Sequence, residues 1–136
     1  MTTPGMNDVN TEDLEHVRRA IPKVIDARAH AVVDYLTAGG FLALGYAMLG
    51  RHSRAAGFAL VNGISVLTLS MLTDYPGGLF RTVSFKTHGT IDTMLAAMCA
   101  AGPSVLGFAG DPEAQYFHGQ ALIETGVIAA TDWNSF

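Results

Sequence analysis

The sequence predicts an all-α protein: a four-transmembrane-helix bundle built from two tandem helix-hairpin repeats, with a short N-terminal amphipathic helix. Three observations lead there. Charge is unevenly spread. Only 15% of the 136 residues are Asp, Glu, Lys or Arg, and nearly half of these fall in the first thirty positions, against a usual charged share of ~25%. The body that remains holds four apolar stretches of membrane length. Within that body, the scarce polar residues recur at a fixed spacing. The length allows one domain. A net charge of −4 with no basic surface excludes a nucleic-acid binder. A single cysteine excludes a disulfide scaffold and a cysteine-rich zinc site.

Residues 1–27 form a polar tail with no basic start followed by an apolar run, so no secretory signal is expected. Thr11 is a candidate cap of a short helix, with Glu12 and Asp13 at its positive end. Leu14, Val17 and Ile21 share one face, Arg18, Arg19 and Lys23 flank it, and Pro22 ends it. That pattern suits a helix lying on a membrane surface or docking on a partner.

Residues 28–136 form the transmembrane domain. The four apolar stretches run about 31–50, 55–72, 89–108 and 116–133, each close to the ~20 residues that cross the hydrocarbon core as a helix. Glycine and alanine fill them, as in membrane helices whose backbones approach closely. The first offers no strongly polar side chain between Thr37 and Arg51, and so lacks the polar stripe of a soluble bundle helix. The fourth carries His118, Gln120 and Glu124 and needs partner helices to satisfy them. With four spans, Arg18, Arg19, Lys23, Arg28, Arg81 and Lys86 share one side, and only Arg51 and Arg54 lie on the other. The excess of positive charge predicts both termini in the cytoplasm, at a bacterial inner membrane.

Shifting the chain by 58 residues overlays His30 on His88 and Asp34 on Asp92. Forty-four residues after each histidine comes Thr-Asp-aromatic, at Thr73–Tyr75 and Thr131–Trp133. This predicts a repeat of about 30–78 and 88–136, with its pseudo-two-fold axis along the membrane normal. His30 and Asp34, like His88 and Asp92, are four apart and share a helix face. With Asp74 and Asp132 they are expected as a ring at the cytoplasmic interface, Asp34 and Asp92 in first helical turns where the dipole favours anions. One reading makes the ring structural, carboxylates and imidazoles tying the hairpins together. Another makes it a metal site of His30, Asp34, His88 and Asp92. A third makes His30 and His88 axial ligands of a haem or a chlorin-type group, in a redox protein.

Glu124 lies eight residues before Asp132, hence deep in the fourth stretch, and an ionisable residue there is a functional candidate. Asn62, Gln120 or a backbone carbonyl could satisfy it. Its counterpart in the first repeat is Val66, so Glu124 breaks the symmetry. Cys99 reads as small core filler. His118 reads as interfacial, as do Tyr116 and Trp133. No phosphate-cradling loop, GxGxxG or HExxH is present, and His52 beside Ser53 has no nearby acid in the sequence, so no nucleophilic constellation assembles.

The motifs His30–Tyr35 (H-x3-D-Y), Leu72–Gly78 (L-T-D-Y-P-x-G), His88–Asp92 (H-G-x-I-D) and Gly102–Phe108 (G-P-S-V-L-G-F) resemble the small bacterial membrane proteins with SPW-type repeats. In this chain Ser104 stands where that signature has tryptophan, and Gly45 stands at the proline position of the first repeat. The resemblance covers about 30–136. It implies paired transmembrane helices and a membrane location, and no reaction. Function is therefore expected to be that of a non-catalytic accessory or scaffold subunit, in contact with the lipid bilayer and with other membrane subunits or a second copy. The alternative is the metal- or haem-binding protein built on the two H-x3-D motifs.

Overall fold

Asp26 and Ser84 decide where the two halves begin. Each side chain accepts a hydrogen bond from the backbone N–H three residues on, Asp26 from Ala29 and Ser84 from Thr87, satisfying one of the free donors of a helix start. The computed structural model describes residues 11–136; residues 1–10, the start of the expected polar tail, lie outside the described residues. The elements are helix α1 (Thr11–Ala20), α2 (Ala27–Met48), α3 (Ser53–Leu72), strands β1 (Thr73–Asp74) and β2 (Val83–Ser84), α4 (Phe85–Val105) and α5 (Ala114–Ala130). The all-α class holds. Helix α1 is exposed throughout, and Leu14 and Val17 leave its apolar face uncovered.

Helices α2 and α3 pack as one hairpin and α4 and α5 as a second. By length and composition, α2 and α3 are apolar enough to cross a membrane. Helix α5 has 17 residues, and α4 carries Lys86, His88 and Asp92 in its first eight positions. The side-chain caps start α2 and α4 four residues earlier than the apolar stretches suggest. As a result Asp34 and Asp92 are each the eighth residue of their helix, not in the first turn as expected. The dipole fades within one turn, so other groups must stabilise these carboxylates.

The short strands are unexpected in an all-α reading. Thr73 and Thr131 are both extended as α3 and α5 end, and their segments must pair to satisfy the backbone. Strand β1 runs parallel to β2, Thr73 opposite Val83. Ile25 and Thr131 form a parallel bridge, with Asp132 N–H donating to Ile25 O at 2.8 Å. The two pairings differ by 58 residues in each member. Each hairpin's end is therefore bonded to the segment that starts the other hairpin. Between β1 and β2 the chain turns tightly at Gly78, where a Cβ would sit 1.7 Å from Thr73 O; only glycine fits.

At the other end of the bundle the core is aromatic. Phe117 is fully buried, 4.8 Å from Phe58 and 5.8 Å from Phe41 between ring centres. Arg54 Nη1 donates to Gly107 O at 3.2 Å, tying α3 to the turn after α4. His52, read in sequence as lacking a nearby acid, has Glu113 Oε1 at 3.1 Å. The acid comes from the start of α5, sixty-one residues away and beyond the reach of sequence proximity. Pro103 closes α4 within its last turn.

Candidate metal centre

The centre lies where the first turns of α2 and α4 meet the last turns of α3 and α5. His30 and Asp34 share one face of α2, and His88 and Asp92 share one face of α4. All four are buried, both histidines at 0% exposure. One donor atom from each of the four lies within 4.8 Å of every other. His30 Nε2 is 3.0 Å from Asp92 Oδ2 and 3.4 Å from Asp34 Oδ1. His88 Nε2 is 3.1 Å from Asp34 Oδ2 and 3.0 Å from Asp92 Oδ2. Each carboxylate thus bridges the two hairpins.

Two threonines orient the imidazoles. Thr131 Oγ1 is 2.9 Å from His30 Nδ1, and Thr73 Oγ1 is 2.7 Å from His88 Nδ1. Each hydroxyl donates its only proton backwards along its own helix, Thr131 to Val127 O and Thr73 to Leu69 O. Each must therefore accept from the ring, so Nδ1–H is the donor on both histidines. Both Nε2 atoms then turn inward on the carboxylates. His88 Nε2 meets neither nearby oxygen at a hydrogen-bonding angle and is left without a hydrogen-bond partner. It is aimed between two oxygens, as a lone pair on a shared ligand would be.

Tyr75 supplies the remaining support. Its hydroxyl donates to Asp34 Oδ2 at 2.8 Å. Burial first, and the Asp34 carboxylate second, push the phenol well above its ordinary range, so it stays a neutral donor. An aromatic cap closes the centre toward the ends of the hairpins. Trp133 and Phe85 lie 5.0 and 5.5 Å from His30 between ring centres, and Tyr75 lies 5.4 Å from His88. Gly89 lets Trp133 lie flat, since a Cβ there would come within 2.8 Å of the indole.

The other expected ring members fall outside. Asp74 is exposed and faces Arg81 at 3.7 Å. Asp132 is half-buried and accepts from Asn134 N–H at 3.0 Å. In both Thr-Asp pairs the extended backbone turns the threonine inward and the aspartate out, because side chains alternate along a strand. The groups the sequence reading missed are thus Thr73, Thr131 and Tyr75. Their signal was present, since the duplicated motif contains the threonine, but weight went to the charged residue.

Asn62 lies deeper in the bundle and is not part of the centre. Its Nδ2 donates to Phe58 O at 2.8 Å, and its Oδ1 faces Cys99 Sγ at 3.3 Å. Glu124 is partnered by Gln120 at 3.4 Å and not by Asn62. A haem between His30 and His88 does not fit. The two rings meet edge to face at 5.2 Å with the carboxylates between them, and the adjoining cavity is ≈ 10 Å³.

Fold and site define a helical-bundle protein with a buried two-histidine, two-aspartate centre. No family model, curated protein or solved structure matches the chain.

Proposed function

We propose that this is an integral membrane protein in which α2 to α5 all span the bilayer as two tandem hairpins. In this reading His30, Asp34, His88 and Asp92 hold a divalent first-row transition-metal ion. The observation that carries the reading is the pair of threonine-oriented imidazoles. Metal-binding histidines characteristically donate their outer N–H to a fixed acceptor, which sets the tautomer and the ring direction. The measured donor-to-donor distances of 3.0–3.4 Å also match the ~3.3 Å edge of a tetrahedron with ~2.0–2.1 Å metal–ligand bonds. Two neutral imidazoles and two carboxylates would neutralise a divalent ion, which suits a buried site. Zn²⁺, Fe²⁺, Mn²⁺ and Co²⁺ accept such mixed nitrogen and oxygen donors.

The membrane assignment is supported by the outer faces of the helices. Leu36, Tyr46, Ile64, Met94, Leu122 and Ile123 are exposed, while the charged centre is enclosed. This is the arrangement expected where lipid surrounds the bundle. The excess of Arg and Lys near the chain ends supports cytoplasmic termini. Motif likeness to SPW-repeat membrane proteins, and a tandem duplication behind the 58-residue spacing, belong to the same proposal.

Metal analysis of the detergent-purified protein tests it. One divalent ion per chain is expected, retained through dialysis and lost in His30→Ala and in His88→Ala. A chain that stays metal-free after incubation with Zn²⁺, Mn²⁺, Fe²⁺ and Co²⁺ overturns it, and leaves the cluster as an ion-paired staple between the hairpins.

A second reading, as an accessory subunit of a larger membrane assembly, has its own support. Gly39, Gly40, Gly57, Gly119 and Gly126 all face open space, and outward glycines allow close helix packing within a membrane. Native electrophoresis from mild detergent at the mass of one chain would count against it.

A further inference from the structure

The centre has one sealed side and one open side, and the difference breaks the symmetry of the two halves. Toward the chain ends, Tyr75, Phe85 and Trp133 cover it, Tyr75 at 0% and Phe85 at 3% exposure. On its deep side a cavity of ≈ 10 Å³ touches His30, Asp34 and Asp92 and, across from them, Glu124 and Gln120. That volume holds about one water molecule. Glu124 is seven residues before Thr131, ~10 Å along α5 at ~1.5 Å per residue. The equivalent position of the first half is Val66, which is buried and apolar and closes the α3 side. Beyond the cavity, a groove of ≈ 340 Å³ runs between α2 and α5 and shares Val33, Thr37 and Gln120 with it. These two helices meet sparsely.

We propose that Glu124 and Gln120 form a one-sided access port, through which the metal ion reaches the His30–Asp34–His88–Asp92 centre from the α2–α5 groove. The inference rests on the metal reading above. A carboxylate at the mouth of a low-dielectric passage concentrates cations there and speeds their capture. The Gln120 amide keeps the Glu124 carboxylate turned toward the passage, and Glu124 hands the ion on without remaining a ligand. Val66 makes the opposite wall unable to do the same, so the path uses one half of the protein only.

The test is the rate of Co²⁺ uptake by the full chain in detergent, followed by stopped-flow absorbance, and of its removal by a chelator. Glu124→Val, which installs the residue of the other half, should slow both uptake and release by roughly tenfold or more, with the dissociation constant unchanged. Thr37→Leu, which narrows the groove and carries no charge, should slow both rates in the same direction. Unchanged rates in both variants overturn the port. A weaker dissociation constant with faster release and unchanged uptake in Glu124→Val also overturns it, by making Glu124 a fifth ligand. If the unaltered protein takes up neither Co²⁺ nor Zn²⁺, the metal reading itself fails and the port with it.

Discussion

At the scale of single residues, the threonines set the chemistry. Thr73 and Thr131 are fully buried and spend their protons on the carbonyls of Leu69 and Val127. Valine has the same shape but cannot accept from the imidazole. Thr73→Val and Thr131→Val should each lower Zn²⁺ affinity by about 10–100-fold, while Thr→Ser at either position keeps most of it; chelator competition measures this. Tyr75→Phe acts on the carboxylate instead. It removes a donor to Asp34, a loss of about 2 kcal/mol for a hydrogen bond to a charged group, read as a lower unfolding midpoint in detergent. Because the folded phenol titrates above its ordinary value of 10.0, this contribution is fully present below that pH and is lost only as pH rises beyond it. The deficit of the variant should therefore be flat between about pH 6 and 9.

At the scale of elements, glycines divide into two kinds. Gly102 of α4 lies against the Phe58 ring, and a Cβ there would come within 2.1 Å of Cζ. Gly102→Ala must push Phe58 out of the aromatic core, at a cost of about 1–3 kcal/mol. Gly126 of α5 faces open space, so Gly126→Ala should gain about 0.5–1 kcal/mol from lower backbone freedom in the unfolded chain. Thermal unfolding of the purified variants separates the two. If Gly126 packs against a partner subunit, its substitution leaves this stability gain intact and weakens the assembly instead. The paired strands act at the same scale. They fasten each hairpin's end to the other's beginning, and so bring His30 to Thr131 and His88 to Thr73.

At the scale of the whole molecule, four spans fix the sidedness of every connection. Val24, before α2, and Arg51, after it, are both exposed and should lie on opposite sides of the membrane. Single cysteines at these positions, with Cys99→Ser, should react with an impermeant maleimide from opposite faces of sealed vesicles. Labelling of both from one face would exclude α2 as a span. The same experiment at Leu79 and Ala109 tests the second hairpin, where α4 and α5 are less apolar than α2 and α3.

The sequence by itself determined the helical class, the two-hairpin order and the spacing that singles out His30, Asp34, His88 and Asp92. Those are properties of pattern: apolar length, glycine breaks and the rarity of polar residues in an apolar body. The start of α2 and α4 was less legible, because side-chain caps at Asp26 and Ser84 extend each helix through residues that are not apolar. Only the tertiary structure decided which atoms meet. Extended backbone after α3 and α5 points Thr73 and Thr131 inward and leaves Asp74 exposed, and a charged residue had seemed the stronger candidate from composition alone. The 58-residue spacing likewise marked Glu124 as the odd position, but that it adjoins the centre through a water-sized cavity depends on how α2 and α5 stand apart. Linear spacing carries which residues share a helix face. It carries nothing about the angle at which a second helix presents its own.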